Sequence, residues 1–584
     1  MKIINFKLYF LLLFIPISLS ATWTSIDGGY GNFETDPNFH MLYGGEGNKI
    51  YGDFNATGNS ILTSDNPTDA SLLDDTTTYK NVDTAFNNST YSLNDTEKMN
   101  SSSAQLKLPD YVSGSDIIWA GLFWQGHIYR ENGTYSTTDV DNDINGWNKI
   151  TIKDSLGSMH QVESPIGSND LSHKAFYHTI MGSGSNRGYR HHYGAYHEIT
   201  DIVKNSYSKN NNTFTVGNLK TTAGNDGGGY VYITQAPEYS GSGHFGLYGG
   251  WSMIVVYQVN GSVAVANSVP LKSITIFDGF DLFLTWGDGT VPFETTINVS
   301  GFYTPKDGDI NSKLLFFGGA GDRDISNDTL AIEDGNNLGT FVNLSNSPNP
   351  SGSQFNHTYT YLGQHMTPGD ENKQGMDLDI FDVSNVMAHS QNNTNIKFGV
   401  VKSGSYCDQL FPQVIAFSTE VYVPSFCYDY KYTQNDTDIT ADFNASIGPR
   451  LYGDSILTNT PIEVIFYLKN LVDSDLYATD MFVTVKDINT SQLTYERDTT
   501  KRALNGELYP VEKTDSEWGT TVSDSYIKDI PIGTQYNSDY FYLYYKLNPQ
   551  SSSINDPLNM EVSYNLVLDS GEVIPYTLTV DAQL

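Results

Sequence analysis

The chain has 584 residues, a formal net charge of −35 and an isoelectric point near 4.4. At about 150 residues per domain this length calls for three or four domains, each large enough to bury its own core without staples. So acidic a surface repels nucleic acid and anionic membrane rather than binding them, and neither is expected as a partner.

The N-terminus reads MKIINFKLYFLLLFIPISLSA, with Lys2 and Lys7 ahead of an apolar run over 8–17 and small residues Ser18 and Ser20 before Ala21. This is the pattern of a signal peptide over 1–20. No second apolar segment is long enough to cross a bilayer. The mature chain is therefore expected to be secreted or held at the cell surface, with no membrane insertion of its own. Residues 21–103 hold an opening strand, GDFNATGNSILT, followed by polar loops rich in Asp, Asn and Thr.

From residue 104 strand text is dense: AQLKLPD, DIIWAGLFW, KITIKD, KAFYHTIM, NTFTVGN, GYVYITQ and WSMIVVYQV. Helical periodicity is nearly absent apart from a turn or two around 202–206. With 40 Tyr, 29 Phe and 52 Gly in the chain, short aromatic-rich strands punctuated by turns predict sandwiches or jelly rolls. The text then repeats. ITIKD at 150–154 is matched by LAIED at 330–334, and EITDIVKNSYSKNNNT at 198–213 by DIFDVSNVMAHSQNNT at 379–394, at nearly the same offset. LFWQG at 122–126 pairs likewise with FFGGA at 316–320, and WSMIVVYQV with QVIAFSTEVYV. The expected architecture is all-β: two tandem jelly-roll-like β-sandwiches over 104–268 and 269–425, then an Ig-like β-sandwich over 426–584. Against the second copy, the first carries two insertions, between 124 and 150 and over 221–249, and insertions in repeats map to loops on a binding face.

The stretch YGGWSMIVVYQVNGSVAVANSVPLKSITIFDGF at 248–280 and the run IEVIFYLKNLVDSDLYATDMFVTVKD at 462–487 resemble bacterial secreted and cell-surface proteins with conserved-repeat, Ig-like domains. The resemblance implies architecture and address: a stalk or adhesive element at the surface, with a protein or glycan as its partner.

Asp139, Asp141, Asp143 and Asn145 with Gly146 alternate oxygen ligands as in the first half of a calcium loop. The closing Glu is missing, Ile152 falling in its place and Asp154 just beyond. Calcium is the one cofactor this suggests, against a solvated acidic loop. Two other acidic alternations, at Asp307, Asp309 and Asn311 and at Asp322, Asp324, Ser326 and Asp328, lack the turn glycine and read as turns. Arg190–Glu198, RHHYGAYHE, would place His191, Tyr193, Ala195 and His197 on one strand face and His192 on the other; a zinc site would need a third ligand that the sequence does not offer. Tyr129, Tyr135, Trp147, Tyr239, Phe245 and Tyr248 lie in the insertions, and exposed they would stack on sugars or anchor a protein. Buried, they would pin the loops. Cys407 and Cys427 flank the strand text QVIAFSTEVYV, whose length of about 36 Å at 3.3 Å per residue holds them too far apart for a disulfide.

No nucleophile elbow, HExxH, phosphate loop or dinucleotide fingerprint occurs. The expected function is therefore non-enzymatic, adhesive or surface-structural. Calcium-assisted carbohydrate binding is the alternative, and an extracellular glycan hydrolase a second one, since abundant carboxylates always allow some suitable pair.

Overall fold

The computed structural model describes residues 39–44, 49–64, 79–81, 101–131, 147–164, 176–181, 188–219, 248–284, 294–319, 321, 328–368, 375–400, 409–440, 456–505, 507, 509–551, 559–568, 571 and 573–580. From its N-terminal side the chain forms β1 (His40–Tyr43), β2 (Lys49–Ser60), the ribbon β3 (Leu62–Ser64) and β4 (Tyr79–Asn81), β5 (Ser101–Gln105), β6 (Ile117–Glu131), β7 (Lys149–Lys153), β8 (Met159–Glu163), β9 (Phe176–Met181), β10 (Gly188–Glu198), α1 (Thr200–Ser206), β11 (Thr213–Gly217) and β12 (Gly249–Gln258). Hydrogen bonding orders these as β2-β12-β6-β10-β9 in one sheet and β5-β11-β7-β8 in another. This is the two-sheet order of a jelly roll.

A short helix, α2 (Gly261–Asn267), leads into the second roll. The Asn260 side chain caps it by accepting from Val263 N, and Ser268 closes it in the left-handed region. There follow β13 (Leu271–Asp278), β14 (Phe283–Leu284), β15 (Glu294–Ser300), β16 (Ser312–Gly319), β17 (Asp328–Glu333), β18 (Phe341–Asn343), β19 (Tyr359–Tyr361), β20 (Gln364–His365), β21 (Met376–Asp382), β22 (Asn393–Val400) and β23 (Gln409–Glu420). Their sheets run β13-β23-β16-β21-β19-β20 and β15-β22-β17-β18; the run β13-β23-β16-β21 and the whole small sheet repeat the order of the first roll, while β19 lies parallel to β21 where β9 is antiparallel to β10. The matched texts fall on equivalent strands: ITIK on β7 and LAIE on β17, LFWQG on β6 and FFGG on β16.

The two large sheets are one. β2 pairs antiparallel with β13, Tyr51 opposite Leu271 and Lys49 opposite Ser273, so a single 13-stranded sheet crosses both rolls. It folds back on itself, and its two halves pack face to face. Gln125 Nε2 on β6 donates to Phe411 O on β23 at 3.1 Å, and Gln413 Nε2 on β23 donates to Ala195 O on β10 at 2.9 Å. Four layers result, the small sheets outermost. This explains the continuously apolar text of β12, GGWSMIVVYQ, which is buried along nearly its whole length: a middle-layer strand has no solvent face. Trp124, Trp251, Phe54 and Phe123 are fully buried in this core. Each such side chain contributes about 1.5–3 kcal/mol, against roughly 1 kcal/mol for a neutral hydrogen bond, so packing holds the layers together.

The C-terminal domain comprises β24 (Phe426–Gln434), β25 (Thr437–Asp438), β26 (Ile462–Asn470), β27 (Tyr477–Val485), β28 (Leu493–Leu504), β29 (Val511–Glu512), the one-turn helix α3 (Asp515–Trp518), β30 (Thr521–Ser523), β31 (Tyr526–Gln535), β32 (Tyr540–Pro549), β33 (Met560–Val567) and β34 (Val573–Val580). Its sheets run β25-β24-β26-β32-β28-β29 and β30-β31-β27-β33-β34. The runs β24-β26-β32-β28 and β27-β33-β34 reproduce the A-B-E-D and C-F-G orders of an Ig-like sandwich. Here one face of each sheet is wet, and β26 and β32 alternate buried and half-exposed residues from end to end.

This domain docks on the rolls where β2 and β13 begin and β23 ends. Lys49 Nζ donates to Pro575 O at 2.9 Å, Tyr576 Oη donates to Tyr422 O at 2.9 Å, and Lys306 pairs with Asp475 at 2.7 Å and Asp473 at 3.1 Å. The long strand expected between the cysteines is present as β23. Cys427 beyond it is exposed, and Cys407 lies outside the described residues.

Candidate functional site at the segment-bearing end

A jelly roll sends alternate connections to opposite ends. Segments 65–78 and 82–100 (β2 to β5), 132–146 (β6 to β7), 165–175 and 182–187 (β8 to β10) and 220–247 (β11 to β12) leave and rejoin the first roll at one end. Segments 285–293, 322–327, 369–374 and 401–408 do the same in the second roll. The two ends coincide: a Cβ on Gly319, closing β16, would lie 2.6 Å from Gln125 Oε1, and one on Gly250, opening β12, would lie 2.9 Å from Met376 Cγ. The C-terminal domain is attached at the other end, where the connections of the first roll are shorter. Both sequence insertions, 124–150 and 221–249, belong to the segment-bearing end.

Beneath these segments the seam between the rolls carries an aromatic-imidazole cluster. His127 on β6 lies opposite His192 on β10, and His192 Nδ1 is 2.5 Å from His127 Nε2. One of those nitrogens must donate and the other accept, so the contact holds one proton. Tyr248 lies against His127 at 3.8 Å between ring centroids, and Phe411 of the second roll stacks on His192 at 4.1 Å. Both imidazoles are buried.

Two further polar groups lie inside the molecule. Near the junction of β2 and β13, Asp53 meets Lys272 Nζ at 2.8 Å and Lys313 Nζ at 3.2 Å and accepts from Ser418 Oγ at 2.7 Å. Burial alone would raise its pKa, but the two ammonium groups outweigh it and hold the carboxyl below the usual range. On β21, Asp377 and Asp379 point into the second roll's own core region. Asp377 Oδ1 accepts from His357 N at 2.8 Å, and Asp379 Oδ1 accepts from Thr360 Oγ1 at 2.6 Å and Asn349 Nδ2 at 3.0 Å. Oδ2 of each is buried without a hydrogen-bond partner among the described residues. Burial, helped by Asp379's charge, pushes Asp377 well up. Asp379 is pushed up to about 7 by burial, against the pull of hydrogen bonds from Thr360, Asn349 and Thr358. Both carboxyls are closed off from solvent.

Asp139, Asp141, Asp143, Asn145, Tyr135, Tyr239 and Phe245 lie outside the described residues, as does the strand text GYVYITQ. Tyr129 lies on β6 opposite Arg190. Trp147 and Tyr248 are buried, at 4% and 8% exposure. Trp147 accepts from Trp124 Nε1 through its carbonyl at 3.0 Å and meets Tyr193 edge-on. For these two the exposed-platform expectation is corrected: large aromatics at the root of a segment gain more by packing. Asp154 is likewise turned inward. Its Oδ1 accepts from Leu156 N and Ser158 N, and its Oδ2 lies 2.8 Å from His160 Nε2, so it closes the β7–β8 turn. Asp307 and Asp309 are exposed, Asn311 bonds Glu420, and Asp328 accepts from Phe355 N. His197 Nδ1 bonds Glu163 O at 2.6 Å. Tyr193 and His192 do point to opposite faces of β10, but the partner of His192 is His127, 65 residues away. No group of three His, Cys, Asp or Glu able to hold a metal occurs among the described residues.

No protein-family model matches the chain, and no curated protein matches it. Among solved structures, one from the Sputnik virophage is similar over 72% of this chain and 90% of its own, at 8% identity and a TM-score of 0.16. The N-terminal domain of the Streptococcus gordonii adhesin Sgo0707 is similar over 93% and 91%, at 6% identity and a TM-score of 0.16. The Endo-D glycoside hydrolase domain from Streptococcus pneumoniae is similar over 54% of this chain and 34% of its own, at 15% identity and a TM-score of 0.11.

Proposed function

We propose that the protein is a non-enzymatic, exported adhesive or surface-structural protein that meets its partner with the segment-bearing end of its double jelly roll. One observation carries this reading. The longest connections of the first roll, 132–148 and 218–248 among them, leave from a single end, opposite the C-terminal domain. Loops held by a rigid scaffold are where binding residues concentrate, and the Ig-like domain at the far end serves as the stalk. The signal-peptide text at the N-terminus supports export. Trp147 and Tyr248 act as anchors for the segments rather than as contacts.

The test compares beads coated with the full chain and with a chain whose residues 133–145 and 222–246 are replaced by short Gly/Ser linkers, scored for attachment to intact cells of the producing strain. The flanking strands keep their pairing, so the replaced chain should fold with an unchanged circular-dichroism spectrum and lose most attachment. Equal attachment by the two chains would remove the segment-bearing end from the function. Finding the chain only in the cytoplasm, still carrying residues 1–20, would remove the reading as a whole.

A further inference from the structure

We propose that the outer face of β26 and β32 in the C-terminal domain binds an uncharged polysaccharide chain. Strict alternation on β32 turns Phe541, Leu543, Tyr545 and Leu547 into the core and leaves Tyr540, Tyr542 and Tyr544 half-exposed on the outer face. On β26 the same alternation presents Tyr467, and register sets it directly opposite Tyr542. The four rings form a continuous patch. Tyr467 lies 5.0 Å from Tyr542 and 6.0 Å from Tyr540, Tyr540 lies 6.0 Å from Tyr542, and Tyr542 stacks on Tyr544 at 6.3 Å. From Tyr540 to Tyr544 the row runs about 13 Å at 3.3 Å per residue.

Cross-strand aromatic pairs stabilise a sheet, and here they also hold four phenol-bearing rings together on the half-exposed face of two adjacent strands. Their chemistry suits a sugar chain: ring faces and edges for C–H groups, and phenols to donate to and accept from hydroxyls. The Tyr467 phenol is held above its ordinary pKa by desolvation and then by its tyrosine and cysteine neighbours, so it adds no negative charge. The charges around the patch balance. Lys501 pairs with Glu512 at 2.6 Å and Lys431 with Asp438 at 3.4 Å, Glu463 lies across from Lys546 in the register, and of the two charges beside the rings, Asp429 lies opposite Tyr467 and Lys469 opposite Tyr540. A locally neutral face on a chain of net charge −35 complements an uncharged polymer and disfavours a polyanion. This site is independent of the segment-bearing end.

The test is affinity electrophoresis of the full chain in gels containing mannan, xyloglucan, galactan, dextran or mixed-linkage β-glucan, with alginate and heparin as polyanions. At least one neutral polymer should retard the protein. The triple variant Tyr467→Ala, Tyr542→Ala, Tyr544→Ala should weaken that retardation about tenfold or more, the loss of more than one ring contact, while it still melts cooperatively, because the core-facing residues of both strands are unchanged. Three results would overturn the proposal: no retardation by any neutral polymer, retardation by the polyanions alone, or a folded triple variant that binds as the parent does.

Discussion

Asp377 and Asp379 stand two residues apart on one strand, on one face, with little but threonine, asparagine and backbone groups to receive them. Both are held above the ordinary carboxylate range, Asp379 to about 7. An unfolded Asp releases its proton near pH 3.9. Between there and about pH 7 the folded state binds more protons than the unfolded chain, so this contribution is complete at low pH and is lost as pH rises. Asp53 has the opposite sign, its contribution being lost only as pH falls below the usual carboxylate range. In Asp379→Asn the amide keeps an acceptor for Thr360 and no longer titrates. Its melting temperature should fall less between pH 4.5 and pH 7.5 than that of the parent, by several degrees if one buried proton is worth a few kcal/mol. Parallel melting curves for the two proteins would mean that Asp379 is not held protonated in the fold.

At the scale of elements, the seam between the rolls depends on small residues facing large ones. A Cβ on Gly194 of β10 would lie 2.6 Å from Phe280 Cδ2, so Gly194→Ala should overpack the seam and cost about 1–3 kcal/mol by chemical denaturation. Phe280→Leu in the same chain should recover part of the loss; no recovery would place the strain elsewhere. How much of this the sequence reveals depends on how far apart the interacting residues lie. Strand existence is legible nearly everywhere, and the alternation of β26 and β32 also reveals which side faces water. The continuous apolar text of β12 and β16 says only that both faces are covered, not by what. The Asp154-Ser-Leu-Gly157 turn carries its signal locally, with Gly157 at φ 94°, and that local signal outweighs the ligand spacing that makes Asp154 resemble a calcium residue. The contacts of His127 with His192, of Lys313 with Asp53 and of Gln125 with Phe411 span 65 to 286 residues. They follow from strand order and from the folding back of the large sheet, which no local pattern encodes.

At the scale of the whole molecule, the C-terminal domain meets the rolls through a small set of polar contacts. Lys306 is partly exposed, and its two ion pairs are each worth about 0.2–1 kcal/mol. Lys49 is better placed, bonding Pro575 O and covering the Tyr576 ring at 4.5 Å. Lys49→Ala with Lys306→Ala should loosen the junction while leaving both cores intact. Small-angle scattering should then show a larger radius of gyration, and calorimetry a C-terminal transition separating from that of the rolls. An unchanged scattering profile with a single transition would mean that the apolar contacts of Tyr303 and Tyr422 suffice.

The pairing of β2 with β13 also disposes of two sheet edges at once. Each is the outermost strand of the large sheet in its own roll, and an open outermost strand invites another chain to add to it. Here the two openings close each other, through equivalent strands running antiparallel, the geometry by which two identical subunits meet about a twofold axis. The seam thus has the form of a twofold contact between two equivalent rolls, carried on one polypeptide. Because the rolls are covalently joined, their association does not depend on protein concentration.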